Sequence, residues 1–525
     1  MTRRSLVKLA AVAPFFATRP VPGAQLAADD SLRSEIRLSA GLLGLPGFVA
    51  GVVPDGKLSP VQADGFADLE SRTPMRQDHI FHLASLTKTF TAVMMMQYVQ
   101  EQKISLDDYV LDYPFLSVGL SADRLFDPDV KLKHFLSHTS EGKPGDNFVY
   151  SGNRYNFVYG VFEKLSGNTN HYQACAQEFR KRVEEPLNLT STLAGYPADI
   201  KDPRIPRITI PYFLDSEHKA ATRDSGASGG TTLFPATGLL STVDDLSTYM
   251  IALDENVLLS SENYAHLTTP YTLNDGRLSP YGLGWSTQRI GSHAVHWHYG
   301  YGDSYSALLV RLPEKKTSFI FLSNTGAASA PFLLGYGNLL TSPFAVAFLD
   351  SVLPGLLSGS DRDFSRMFLV HYTETAFGRN QGEARRLLRK LSSTAPDRFH
   401  RSDWAMISLL SGLADPALSG EMDSLVEGYR GTGAFHPEIS LAIADYYGKI
   451  GEQAKRDVFL RQIADRIGYG EERATRDACV RLGAELLRSG KTEEGRKYLW
   501  MAARYAKTSG ENVESQERIV QGLKF

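Results

Sequence analysis

The stretch Phe81-His82-Leu83-Ala84-Ser85-Leu86-Thr87-Lys88-Thr89-Phe90-Thr91 decides how the rest of the chain is read. Ser85 stands just ahead of an apolar run, residues 90–99, so the pattern places it at a helix N-terminus. Lys88 follows three residues later, and one helical turn stacks its amine beside the serine hydroxyl. A hydroxyl is a weak nucleophile until its proton is taken. An adjacent amine can take it, and the positive end of the helix dipole favours the anion that forms. Ser85 is therefore a candidate nucleophile for acyl transfer and Lys88 its activating partner. The spacing alone is unspecific, since Ser5 with Lys8, Ser140 with Lys143 and Ser216 with Lys219 share it. Only Ser85 opens an apolar helix, where the simpler alternative is an ordinary capping serine.

The chain has 525 residues, 42% hydrophobic and 22% charged, enough for two or more globular domains. A net charge of −3 argues against an electrostatic nucleic-acid binder, which would show a basic face or stripe. Two cysteines, Cys175 and Cys479, form neither a disulfide framework nor a metal spacing and read as packing residues. At the N-terminus, Arg3-Arg4 with Leu6 and Lys8 precedes a short apolar stretch and then small residues near Ala28. Residues 1–28 thus read as an export signal, similar to a twin-arginine leader, which predicts a periplasmic or extracellular protein. Residues 317–349 lack formal charge, but Gly326, Pro331, Gly335, Gly337 and Pro343 interrupt them, which argues against a transmembrane anchor.

Residues 47–53 are apolar, Pro54-Asp55-Gly56-Lys57 is a turn, and a second extended run reaches Ala67: a β-hairpin. Residues 306–311 and 317–323 are again strands, joined by a tight turn, and residues 332–353 read as a covering helix. Strands at both ends of a region with helices between them predict an α+β fold. In it an antiparallel sheet is closed by distant segments, flanked by helices and joined by a helical lobe. From residue 361 only helical periodicity remains, predicting an all-α C-terminal domain, residues 361–525, after a catalytic region of residues 29–355. Leu482-Gly483, Gly490, Gly495, Tyr498 and Ala502-Ala503 resemble a tetratricopeptide-type helix pair, with a non-repetitive bundle as the equal alternative. Such a domain is a candidate surface for a protein partner.

Two further polar sites complete the pattern. Tyr150-Ser151-Gly152 precedes an apolar helical run, and a tyrosine beside a lysine can shuttle protons because the cation stabilises phenolate. His298-Tyr299-Gly300 sits before the strand at Ser306, where Gly300 permits close backbone approach. Together with Gly65-Phe66-Ala67-Asp68-Leu69-Glu70, Phe135-Leu136-Ser137-His138-Thr139-Ser140, Gly238-Leu239-Leu240-Ser241-Thr242 and Tyr281-Gly282-Leu283-Gly284-Trp285, these residues resemble the penicillin-recognising serine hydrolases. That group includes class C β-lactamases, D-alanyl-D-alanine carboxypeptidases and lactamase-like esterases. The resemblance spans residues 46–324.

The resemblance implies acylation of Ser85, deprotonation by Lys88 and proton transfer through Tyr150. The backbone N–H groups of Ser85 and Tyr301 would form an oxyanion hole, with His298, Gly300 and Gly152 contacting substrate. No metal or organic cofactor is implied; the substrates are small esters, D-amino-acid peptides or β-lactams. Three departures shape the expectation. Gly152 stands where many members have asparagine, with Asn153 next to it, so a side-chain amide is missing or displaced. His298 replaces the lysine of dedicated β-lactamases, which favours esterase or peptidase work. The segment between Ser140 and Tyr150 is short, abbreviating a loop that roofs such sites. A catalytically inactive scaffold that binds through its helical C-terminal domain is the alternative from another class. A metal held by His293, His296 and His298 is a minor one.

Overall fold

The computed structural model describes residues 30–114, 127–214, 221–226, 232–357, 359, 361–362, 365–366, 369, 420, 422–430, 437–467 and 473–508. The leader expected over residues 1–28 and the Ser216 with Lys219 pair lie outside these residues, as does most of 358–436. The chain divides into two compact units. The first comprises residues 1–94, 176–265 and 285–391, and the second residues 95–175, 266–284 and 392–525.

Among the described residues, all the strands belong to the first unit. β1 (Gly47–Pro54) and β2 (Ser59–Asp68) form the expected hairpin. Its turn puts Asp55 and Gly56 at φ 45° and 77°, the pair of positive angles that matches strand twist. β3 (Thr73–Pro74) and β4 (Phe81–His82) follow, then β5 (Leu193–Ala194), β6 (Tyr212–Leu214), β7 (Ala221–Arg223) and β8 (Leu239–Ser241). β9 (Ser286–Ile290), β10 (His293–Gly302), β11 (Tyr305–Leu312) and β12 (Thr317–Ser323) complete the set. The main sheet is seven-stranded, in the order β3-β2-β1-β12-β11-β10-β9. Every neighbouring pair is antiparallel, and Phe48 pairs with Ser323 at the seam where the two ends of the region meet. The α+β expectation and the closure of the sheet by distant segments are both met.

β12 is buried at every position, as a central strand covered on both faces must be. On one face Phe321 stacks on Phe48 and Phe344, and Phe319 on Phe348, so helix Pro343–Val352 lies there. On the other, Gly51 pairs with Ile320, and a Cβ at Gly51 would stand 2.7 Å from Val243 Cγ1, so helix Val243–Asp254 presses on the sheet.

The helix expected over residues 332–353 is shorter than its apolar run. Three 3₁₀ turns occupy 330–341, and the helix starts at Pro343. Leu333 and Gly337 take positive φ, which breaks helical continuity, while Ser342 accepts the Ala345 N–H and Pro343 sits in the first turn. The third motif precedes the Ser306 strand, as expected. It lies inside β10, with the hairpin to β11 beyond it.

In the second unit Gly152–Asn156 and Tyr159–Ser166 are helical, and the described C-terminal residues from 422 on form helices, as expected. Helices Pro437–Lys449 and Gln453–Ile467 turn at Gly451, and Arg473–Arg488 and Thr492–Thr508 at Gly490, both glycines at positive φ. A Cβ at Gly483 would lie 2.9 Å from the Gly495 carbonyl oxygen, so this pair of helices crosses backbone to backbone. Among the described residues, no helix is long and apolar enough to cross a membrane.

One contact fixes the sheet against the Ser85 turn. A Cβ at Gly300 of β10 would meet the Leu83 carbonyl oxygen at 2.1 Å, a separation no side chain tolerates. Gly300→Ala must push β10 and the turn apart, at a cost of roughly 1–3 kcal/mol typical of overpacking. A melting point several degrees below wild type by calorimetry is the expected result; an unchanged melting point would show that the strand is free to shift.

Candidate active site

The turn that carries Ser85 is built from both sides. β4 pairs with β8, and the Leu83 N–H donates to the Leu239 carbonyl at 2.9 Å. The chain then reverses through a 3₁₀ turn, Ala84–Leu86, before helix Thr87–Gln100 begins. Ala84 sits at φ 46°, in the left-handed region that a residue with a Cβ enters at a cost of about 1 kcal/mol or more. Ser85 is therefore not the N-cap that the simpler reading required; it lies inside the 3₁₀ turn, and its hydroxyl accepts from Lys88. It is half-buried, whereas the flanking residues 81–84 and 86–96 are buried throughout. The three consecutive methionines, Met94 to Met96, are core filling.

Lys88 is wholly buried, and its Nζ donates to Ser85 Oγ at 2.8 Å and to the Ala236 carbonyl at 3.3 Å. Burial disfavours the charged amine and lowers its pKa from 10.5 to about 7. A neutral amine can accept the serine proton across the same 2.8 Å that the hydrogen bond spans. The Ala236 carbonyl is held in place by the helix itself. Thr91 Oγ1 donates to the Pro235 carbonyl at 2.7 Å, and Thr87 Oγ1 accepts the Leu239 N–H at 3.2 Å. The sequence marks the neighbouring residues 238–242 but not Ala236, because a backbone acceptor leaves no mark in residue type. Among the described residues, the other pair at this spacing differs: Ser140 is buried while Lys143 is exposed.

β10 brings the third motif alongside. His298 is fully enclosed by protein, and its Nδ1–H donates to the Tyr299 carbonyl at 2.6 Å. Burial, and then the nearby charge of Lys88, push its pKa down to about 3, so the imidazole is neutral. It was expected to face a ligand; in this structure the ring is covered. Tyr301 is 45% exposed, and its hydroxyl donates to Asp303 Oδ1 at 2.8 Å. The other two histidines have separate partners: His296 Nδ1 lies 3.2 Å from Tyr264 Oη, and His293 Nδ1 lies 3.1 Å from Glu314. Among the described residues, no group of three potential ligands gathers as a metal site.

Tyr150 and Gly152 belong to the second unit, and Ser85, Lys88, His298, Gly300 and Tyr301 to the first. The structure thus brings the serine, the lysine and the third motif together within one unit. Tyr150 is half-buried at the end of a loop, directly before Ser151. Ser151 caps helix Gly152–Asn156, its Oγ accepting the Arg154 N–H at 3.2 Å. Gly152 is the first residue of that helix, and Asn153 after it is exposed, so the displaced asparagine turns toward solvent. A buried ion pair that the sequence did not reveal, Arg154 Nε to Glu141 Oε1 at 3.0 Å, ties the helix to the segment before the loop.

These segments match known proteins. The family model for Beta-lactamase matches residues 36–337. The chain is similar to a D-aminopeptidase from Brucella anthropi, 24% identical over 324 residues, or 55% of this chain and 58% of that protein. It is also similar to Esterase EstB from Burkholderia gladioli, 36% identical over 101 residues, 18% of this chain and 24% of that protein. Among solved structures, the octameric penicillin-binding protein homologue from Pyrococcus abyssi is 23% identical, with a TM-score of 0.49, covering 62% of this chain and 77% of that one. The chain spans less than two thirds of the length of the first curated relatives it matches. With the family model covering more than half of its length, the chain belongs to the beta-lactamase family.

Proposed function

We propose that this chain is an exported serine hydrolase that cleaves ester or amide bonds through an acyl-enzyme at Ser85. The observation that carries the reading is the 2.8 Å contact between Ser85 Oγ and a wholly buried Lys88 whose pKa lies near 7. At neutral pH much of that amine is neutral. As Ser85 Oγ bonds to the substrate carbonyl carbon, its proton passes to Lys88 Nζ, and the backbone N–H groups of Ser85 and Tyr301 receive the developing oxyanion. Tyr150 delivers a proton to the leaving group as the scissile bond breaks. Water then attacks the acyl carbon, yields its proton to the same relay, and Ser85 leaves with a proton restored.

The third motif bears on the substrate class. A lysine there supplies a permanent cation for a substrate carboxylate, whereas His298 is neutral and covered. We take small acyl esters and D-amino-acid peptides or amides as the preferred substrates, with β-lactams poorer. The similarity to proteins named D-aminopeptidase and esterase points the same way. We further take residues 29–355 as the hydrolase and residues 361–525 as an appended helical domain, tetratricopeptide-like, that offers a surface to a protein partner. Export through the leader at residues 1–28 would place the enzyme in the periplasm or outside the cell.

The direct test is mass spectrometry of the protein after exposure to esters, D-alanyl peptides and penicillins, with a fluorophosphonate as a general probe. An acyl or phosphonyl adduct on Ser85, lost in Ser85→Ala, is expected; a folded protein that stays unmodified by every reagent would favour the inactive scaffold. On an alkyl ester or an amide, whose leaving group must be protonated, Lys88→Ala and Tyr150→Phe should each lower kcat/KM by about a hundredfold or more, as removal of proton-transfer groups does. Near-wild-type turnover in either variant contradicts its assigned role. The pH profile has a fixed sign: Lys88 must be neutral to receive the proton, so kcat/KM should fall as pH drops through about 7 and level off above it. A profile that keeps rising toward the ordinary lysine range would mean that Lys88 is not the base.

A further inference from the structure

His138 touches the Tyr150 turn at three successive residues. Its carbonyl accepts the Val149 N–H at 2.8 Å, and its ring Nδ1 accepts the Ser151 N–H at 3.1 Å. Between these two bonds its imidazole packs on the Tyr150 ring itself, with centroids 4.3 Å apart. The residue before the phenol, the phenol and the residue after it are all held by one side chain and its own backbone. The imidazole is 1% exposed and is walled by Phe148, Tyr155 and Tyr281 as well, with centroids at 6.3, 5.3 and 4.9 Å.

His138 is also fixed in place. It adopts φ 56°, a left-handed conformation that histidine, asparagine and aspartate enter more readily than other side chains. Its N–H donates to the Phe135 carbonyl at the end of helix Leu132–Leu136. Three residues on, Glu141 pairs with Arg154, both side chains 1% exposed, so the segments 138–141 and 149–154 are zipped at both ends. Because Nδ1 accepts from a backbone N–H, it carries no proton there, and the grip belongs to the neutral ring with Nε2 protonated.

We propose that His138 is a positioning residue that sets where the Tyr150 phenol sits, so that the tyrosine can protonate a leaving group. The proposal rests on the reading of Tyr150 as the proton shuttle. It separates two classes of substrate. A p-nitrophenolate leaves unprotonated, whereas an alkyl alkoxide must receive a proton as the C–O bond breaks. Misplacing the phenol therefore penalises alkyl esters and leaves p-nitrophenyl esters nearly untouched, which general loosening of the site does not do.

Two variants divide the contact. His138→Phe keeps a ring in the aromatic nest but removes the acceptor and orphans the Ser151 N–H. His138→Asn loses the ring but keeps an acceptor at the same branch position and suits the left-handed backbone. In His138→Phe, kcat/KM for a methyl ester should fall about tenfold relative to that for the p-nitrophenyl ester of the same acid, while His138→Asn stays near the wild-type ratio. The His138→Phe effect should vanish in a Tyr150→Phe background, since one acts through the other. An unchanged ratio in folded His138→Phe, or an effect that persists without the tyrosine hydroxyl, overturns the proposal. A second readout does not depend on turnover. In protein labelled with 3-fluorotyrosine, the Tyr150 resonance, assigned by its loss in Tyr150→Phe, should be single and sharp in wild type and His138→Asn. In His138→Phe it should shift and broaden, and an unmoved line there overturns the positioning role. If the wild type hydrolyses neither ester, the proposed function falls, and the fluorine spectrum still decides the role of His138.

Discussion

The account depends on an amine kept dry beside a hydroxyl. Lys88 is 0% exposed, and removal from water lowers its pKa to about 7, far below its ordinary 10.5. Exposed to solvent, the same lysine would be protonated at neutral pH and could accept nothing. Its activating role therefore comes from the packing around it as much as from its identity. Helix Thr87–Gln100 is buried nearly all round, and that environment is what an almost unbroken apolar sequence after Lys88 supplies.

The rest of the first unit keeps that arrangement in register. Gly300 lets β10 close on the Leu83 carbonyl, and β8 holds the residue before the turn through Leu239. Thr87 and Thr91, one helical turn apart, bind the 235–239 segment so that the Ala236 carbonyl faces Lys88 Nζ. That carbonyl is an acceptor that orients the amine. Ala84 pays a conformational cost at φ 46° so that Ser85 emerges half-exposed from a buried segment. Strain of this kind next to a reactive hydroxyl is consistent with selection for position over local stability.

Much of this was legible in the sequence, for physical reasons. The nucleophile pair is a side-chain spacing, and helical geometry converts spacing directly into proximity. The hairpin at Pro54-Asp55-Gly56-Lys57 and the strands at both ends of the sheet follow from turn chemistry and apolar runs, and all were found where expected. Other features were hidden because they are made by backbone or by distant packing. The 3₁₀ turn at Ala84–Leu86 has no residue signature, and Leu333 in a left-handed conformation gives no warning that the helix begins only at Pro343. His298 was expected to face a ligand from the motif it resembles, yet burial is a property of everything around it. His138 was visible as part of a motif, but its hold on residues 149–151 depends on a loop closure no local pattern encodes.

The protonation state of Lys88 tests the central claim most directly. A nuclear magnetic resonance titration of the isotopically labelled protein can follow the Lys88 side-chain ε-carbon and ζ-nitrogen, assigned by comparison with Lys88→Arg. A midpoint near pH 7 is the predicted result. A midpoint close to the ordinary lysine value of 10.5 would contradict it, because the amine would then be charged at neutral pH and unable to activate Ser85.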